Sequence, residues 1–139
     1  MNAPAPRLSS DERVALALAA VGSVSPQEAF HRLRRDDVVV IDVRDAVDWR
    51  QARIPGAINA PRGMLEFYID PANSFHLPVF DPAAGHEYLF CCGSGARAAL
   101  SAELACEMGL KATCIAGGMR EWHAAALPLE NSPTDSSTH

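Results

Sequence analysis

The chain has no basic block anywhere. With a formal charge of -5, that argues against nucleic acid or an anionic membrane surface as a partner. It also lacks an apolar run long enough to cross a bilayer. The greasiest N-terminal stretch, VALALAAVG at residues 14–22, falls far short of the roughly 20 residues a spanning helix needs. Asp11 and Glu12 stand where a signal peptide carries positive charge. The four cysteines, Cys91, Cys92, Cys106 and Cys114, show no C-x-x-C spacing and two are adjacent, a poor disulfide framework. They read as thiols of a reducing compartment, and the expectation is a cytoplasmic protein. His31, His86 and His123 have no ligand spacing between them, so no metal is expected. Neither an internal repeat nor a low-complexity core is present.

What remains is 139 residues, 48% of them hydrophobic, enough for one domain with its own core. The organisation expected is an N-terminal tail and short helix at 1–22, a domain over 23–130, and a flexible polar tail at 131–139. Ser9 or Ser10 can cap the first helix, which stops at Gly22. SPQE at residues 25–28 starts a second, with an N-cap serine, proline at the first position and Glu28 completing a capping box; this helix runs to about Arg35. VVVIDV at 38–43 and EYLFC at 87–91 are apolar without alternation, the pattern of strands buried on both faces of a parallel sheet. A short strand is expected at 57–59 and another at 112–116. Leu100, Leu104 and Met108 form an apolar stripe on a helix ended by Gly109, and GGMREWHAA leads into a last helix. Strands alternating with helices make an α/β fold with a mainly parallel sheet. The proline-rich excursion ending at His86 is long enough to be a lid or binding loop.

The chemistry concentrates in CGSGAR, residues 92–97. A loop leaving the carboxyl end of a parallel strand and entering a helix lies where open α/β sheets place their ligands. Gly93 and Gly95 let successive N–H groups turn toward one point, and the helix N-terminus adds partial positive charge there. A cysteine at the head of such a cradle, with Arg97 nearby, is expected to ionise far more readily than an ordinary thiol of pKa about 8.5. Cys92 begins the cradle, while Cys91 is the last strand residue and should point into a sheet face. Cys91 then reads as a small buried apolar residue.

At these residues the chain resembles the single-domain rhodanese family of sulfurtransferases. Four motifs stand in the family's order: VVIDVRD (39–45), IPGAINAPRG (54–63), CGSGARAA (92–99) and GGMREW (117–122), within a resemblance covering roughly 23–129. The resemblance implies a rhodanese-like fold, a mainly parallel central sheet flanked by helices on both faces. It also implies a persulfide mechanism with Cys92 as nucleophile. Sulfane sulfur would move from a donor such as thiosulfate, or mercaptopyruvate, to a thiol, cyanide or a sulfur-accepting protein. The N–H groups of Gly93, Ser94, Gly95, Ala96 and Arg97 would hold the persulfide, Arg97 would steer the anionic donor, and no cofactor is implied. Arg62, which follows a turn on the expected active-site side, is by its position a candidate for recognising the donor's charge. Asp42 and Arg44 match a family pair and are expected to tie loops together as an ion pair. Ser94 also matches the mercaptopyruvate-type loop, in which a serine has been proposed as a proton relay. Those relatives carry histidine before IPG, where this chain has Arg53.

Phe67, Tyr68, Phe75 and His76 could wall a pocket, and Trp49 and Trp122 anchor short helices. Two other function classes remain open. One is a cysteine-based reductase or phosphatase, with Cys91, Cys106 or Cys114 as a resolving thiol. The other is a non-catalytic interaction module. In phosphate-ester relatives five residues separate cysteine and arginine; here four do, Gly93, Ser94, Gly95 and Ala96, which favours sulfur.

Overall fold

The computed structural model describes residues 7–131; the outermost parts of the expected tails, 1–6 and 132–139, lie outside them. Among the described residues the sheet has five strands, all parallel: β1 (Ser23–Val24), β2 (Val38–Asp42), β3 (Ile58–Asn59), β4 (Glu87–Cys91) and β5 (Lys111–Ile115). They lie in the order β1-β5-β4-β2-β3, so the two apolar runs read as doubly buried strands sit at the centre, paired from Val38↔Glu87 to Asp42↔Cys91. The expected strand at 57–59 is one residue shorter, and that at 112–116 is shifted back by one. The two-residue β1 went unrecognised.

Alternation along the strands sends side chains to two separate cores. Ile41, Val43, Tyr88, Phe90, Cys92 and Cys114 face one side, covered by α1 (Ser10–Val21), α4 (Leu65–Ile69) and α5 (Ala96–Glu107). Val40, Leu89, Cys91 and Ile115 face the other, covered by α2 (Pro26–Arg32), α3 (Ala46–Gln51) and α6 (Gly118–Ala124). Helices therefore flank the sheet on both faces. Trp122 is fully buried, edge-on to Phe30, and its indole N–H donates to the Pro128 carbonyl at 2.8 Å; that of Trp49 donates to Ala57 at 2.9 Å.

Helix α1 opens on a complete capping box, Ser9 with Glu12. It packs along α5 with Ala17 fully buried in the first core, so the helix placed before the domain shares the domain's core. At α2 the Ser25 hydroxyl accepts the Glu28 N–H at 3.1 Å, but the Glu28 carboxylate turns to Arg32 instead of back to the cap, leaving the box half made. The helix ends at Arg32, three residues earlier than expected, where 34–37 turn into β2.

The stripe expected to bury α5 is a correction. The buried residues are Ala98, Ala99, Ser101, Ala102 and Ala105, whereas Leu100 and Leu104 are half-buried at the core's edge and Met108 is exposed. Small side chains let the helix lie close to the sheet and to α1. The excursion is ordered too: after α4 come two 3-10 turns, Pro78–Phe80 and Pro82–Ala84. They are pinned by Leu77 N–H to Tyr68 O at 2.9 Å and by the Tyr88 hydroxyl to Val79 O at 2.6 Å, with Phe80 fully buried against Tyr88.

Candidate active site

The chain leaves β4 at Cys91 and reaches α5 five residues later. Gly95 is the helix N-cap, with φ +102°, in the left-handed region that side-chain-bearing residues avoid. Glycine has no side chain to accept the helix's first free N–H groups, which ordinarily need a partner. Cys92 supplies one. Its Sγ accepts the Gly95 N–H at 3.0 Å and the Ala98 N–H at 3.4 Å, so two dipoles at the positive end of a twelve-residue helix point at a single sulfur. Ala98 lies outside the expected set of Gly93 to Arg97; its signal was available, since it occupies the third position of a helix read as beginning at this loop. Cys92 is 1% exposed, and Ser94 and Arg97, both exposed, are the loop residues that an incoming molecule meets first.

The loop is braced from behind by the start of α6. Met119 N–H donates to the Cys92 carbonyl at 2.8 Å and Arg120 N–H to the Gly93 carbonyl at 3.0 Å. Gly118, φ +59°, lies so near that an added Cβ would stand 2.3 Å from the Cys92 oxygen. That brace explains the GG of GGMREW, which the sequence marked only as a turn.

Cys91 lies on the other face, fully buried. Burial first, and then the Asp42 carboxylate, push its thiol far above the ordinary range, so it stays protonated. Cys114, in the Cys92 core, is pushed up to about 11 by burial and then by Cys92. Asp42, 1% exposed, pairs with Arg44: Nη2 to Oδ2 is 2.8 Å. Arg44 also donates to the Ala52 carbonyl at 2.7 Å, and Asn59 caps the carbonyls of both residues, a clasp across β2, α3 and β3. Arg53, which stands where the mercaptopyruvate-type loop's relatives carry histidine, is bound to Glu130 through paired backbone groups and an ion pair of 3.2 Å, and stacks on Trp49.

Arg62, in the 3-10 turn Arg62–Met64, reaches the same cavity as Arg97, a space of about 640 Å³. Phe67 and Phe75, 45% and 60% exposed, wall a separate apolar cleft of about 420 Å³ with Met64; Tyr68 and His76 are half-buried elsewhere. Among the described residues no three histidine, cysteine or acidic side chains are placed to hold a metal ion, and no helix is long and apolar enough to cross a membrane.

Comparison with known proteins agrees with this architecture. The chain is 24% identical over 108 residues to the thiosulfate sulfurtransferase GlpE of Glaesserella parasuis, covering 77% of this chain and 91% of that one. A Rhodopseudomonas palustris protein of unknown function, described as a possible tyrosine phosphatase, is 32% identical in sequence with a TM-score of 0.81, over 94% of this chain and all of the other. A thiosulfate sulfurtransferase from Pseudomonas aeruginosa shares the fold at a TM-score of 0.65 and 21% identity, over 90% of this chain and 23% of its own. The rhodanese-like domain family matches residues 25–125, which hold all four β4-to-α5 loop residues and the α6 brace, and the chain belongs to that family, whose sulfurtransferase members tie it to sulfur transfer.

Proposed function

We propose that the protein is a cytoplasmic sulfurtransferase that moves sulfane sulfur from thiosulfate or a similar donor to a thiol or cyanide through a persulfide on Cys92. The observation that carries the reading is the convergence of the Gly95 and Ala98 N–H groups on Cys92 Sγ. Two donors fixed before reaction stabilise a sulfur anion without reorganising, which is how preorganised dipoles lower a barrier. In the first half the Cys92 thiolate attacks the outer sulfur of thiosulfate. A bond forms between Sγ and that sulfur, the donor's S–S bond breaks, and sulfite leaves with the electron pair. In the second half the acceptor attacks the outer sulfur and Cys92 leaves as a thiolate. The same N–H pair serves the thiolate at both ends of the cycle. Gly93, Ser94 and Ala96 complete the cradle around the outer sulfur, and Arg97 and Arg62 hold the donor's charge. The route calls for no metal or organic cofactor.

Similarity to the R. palustris protein favours a second reading, a cysteine-dependent phosphatase. The four residues between Cys92 and Arg97 make the cradle one residue shorter than that of the phosphate-ester relatives, and two buried thiols on opposite sheet faces leave Cys91 poorly placed to resolve an intermediate. A panel of thiosulfate, mercaptopyruvate and an aryl phosphate, assayed with the wild type and Cys92→Ser, separates the readings. Sulfur transfer lost in the variant supports the first. Cys92-dependent phosphate release overturns it, and no turnover of any substrate leaves the interaction-module reading.

A further inference from the structure

Helix α1 is apolar on every side along most of its length. Residues 14–21, VALALAAV, carry no polar side chain, and a helix of that kind is normally buried all round. Here only one side is. Val14, Ala17 and Val21 face the first core. On the opposite side Glu12, Ala15, Leu16 and Ala19, at i, i+3, i+4 and i+7, are exposed, as are Leu18 and Ala20 beside them. Leu16 is 52% exposed and Leu18 38%. By contrast, α2, α5 and α6 present Glu28, Glu107 and Arg120 to solvent. Helix α1 also precedes residues 25–125, which match the family, so its uncovered face is no part of the shared domain. Charge is placed unequally about its two ends. The helix begins on exposed carboxylates, Asp11 and Glu12, while Arg13 beside them is held by Glu103 of α5. Near its end lies Lys111, which lines a small cavity with Val21 and Gly22. The Lys111 side chain is 76% exposed, and Glu87, which it approaches to 3.5 Å, is already bound by Arg32 at 2.8 Å.

We propose that this face is a homodimer interface, in which α1 packs antiparallel on α1 of a second copy about a two-fold axis. A two-fold contact requires a patch that complements itself. Leu16 beside the small Ala15 and Ala19 supplies one, because the leucine of each copy can seat in the hollow that the alanines of the other leave. Charge selects the direction. An antiparallel pair sets the positive end of each helix against the negative end of the other and brings Asp11 of one copy toward Lys111 of the second. A parallel pair would stack Asp11 and Glu12 on their own counterparts, and like charges brought together cost affinity. The size of the contact sets its strength. Twelve helical residues make a strip about 18 Å long and about 10 Å wide, short of the roughly 800 Å² per partner of a standard interface. The dimer is therefore a weak one, in exchange with the monomer at micromolar concentrations.

Sedimentation equilibrium of the full chain over about 1 μM to 1 mM should fit a monomer–dimer equilibrium. Leu16→Glu and, separately, Ala19→Glu place a charge in the middle of the contact and should each raise the dimer Kd about tenfold or more. Both positions are exposed, so each variant should melt with the wild type, and the one that does decides the outcome. Lys111→Glu should raise the Kd about fivefold, and adding Asp11→Lys to it should bring the Kd back toward the wild-type value, as an exchanged charge pair does. A monomer throughout the range overturns the proposal, and so does a dimer that the folded α1 variants leave unchanged. A dimer that these variants weaken but the charge exchange does not restore overturns the antiparallel arrangement.

Discussion

Replacing Gly118 by alanine tests the brace that holds the cysteine loop. The new Cβ would lie 2.3 Å from the Cys92 oxygen, 2.9 Å from the Gly93 oxygen and 3.0 Å from the Cys92 carbonyl carbon. All three are backbone atoms, so no side chain can swing aside. Ordinary contact begins at 3.4 Å, and α6 and the loop must separate by about 1 Å, at the expense of the hydrogen bonds from Met119 and Arg120. The left-handed backbone costs alanine about 1–2 kcal/mol, and two weakened hydrogen bonds add roughly 0.5–1.5 each. The sum is about 2–5 kcal/mol, or about 8–20 °C in Tm for a domain of this size. A displacement of about 1 Å at a nucleophile costs on the order of 100-fold in rate. Gly85→Ala is the control: its φ is +68° with nothing within 4 Å, so it carries the backbone strain without the clash. Thermal melts by circular dichroism and thiocyanate formation from thiosulfate and cyanide read both effects. If Gly118→Ala melts with Gly85→Ala and keeps its rate, the brace does not position the loop.

Cys92→Ser should lower sulfur transfer by several orders of magnitude while Cys91→Ser keeps most of it, because only Cys92 receives the two N–H groups; activity lost in the Cys91 variant alone reverses the assignment. Arg44→Ala should cost about 3–5 kcal/mol in denaturant unfolding, since it leaves the buried Asp42 carboxylate without its partner; a loss under about 1 kcal/mol refutes a structural role for the clasp. Stability should decline in alkali. The Cys91 and Cys114 thiols ionise at higher pH folded than unfolded. Both are protonated in either state below the unfolded value of about 8.5, and the unfolded chain alone gains from losing protons above it. For Cys114 the loss runs from there to about 11; a Tm profile that Cys114→Ala does not flatten over that range contradicts the cause.

The central strands were legible because residues buried on both faces need no polar alternation, and 38–43 and 87–91 show none. Cys92 and Arg97 were legible for another reason: the loop, the nucleophile and the helix start are consecutive in the chain. Elements whose roles depend on distant residues were not. Ser23–Val24 becomes a strand only by lying beside Cys114 and Ile115. On α5, hydrophobicity favoured the leucines for the core, but close packing against the sheet and α1 selects the alanines and turns the leucines toward the cavity. Gly118 and Arg13 reach the loop and the cavity from opposite ends of the chain, so spacing within any one motif carries no trace of them.

Intact mass after incubation with thiosulfate and desalting tests the persulfide most directly. The N–H groups on Cys92 Sγ should favour a persulfide as they favour a thiolate. The protein should therefore gain the mass of one sulfur atom on the peptide containing Cys92. Prior alkylation of Cys92 should block the gain, and cyanide should discharge it with thiocyanate formed in equal amount. No adduct on protein whose Cys92 still reacts with an alkylating agent, or an adduct carried by Cys91 or Cys106 instead, contradicts the account.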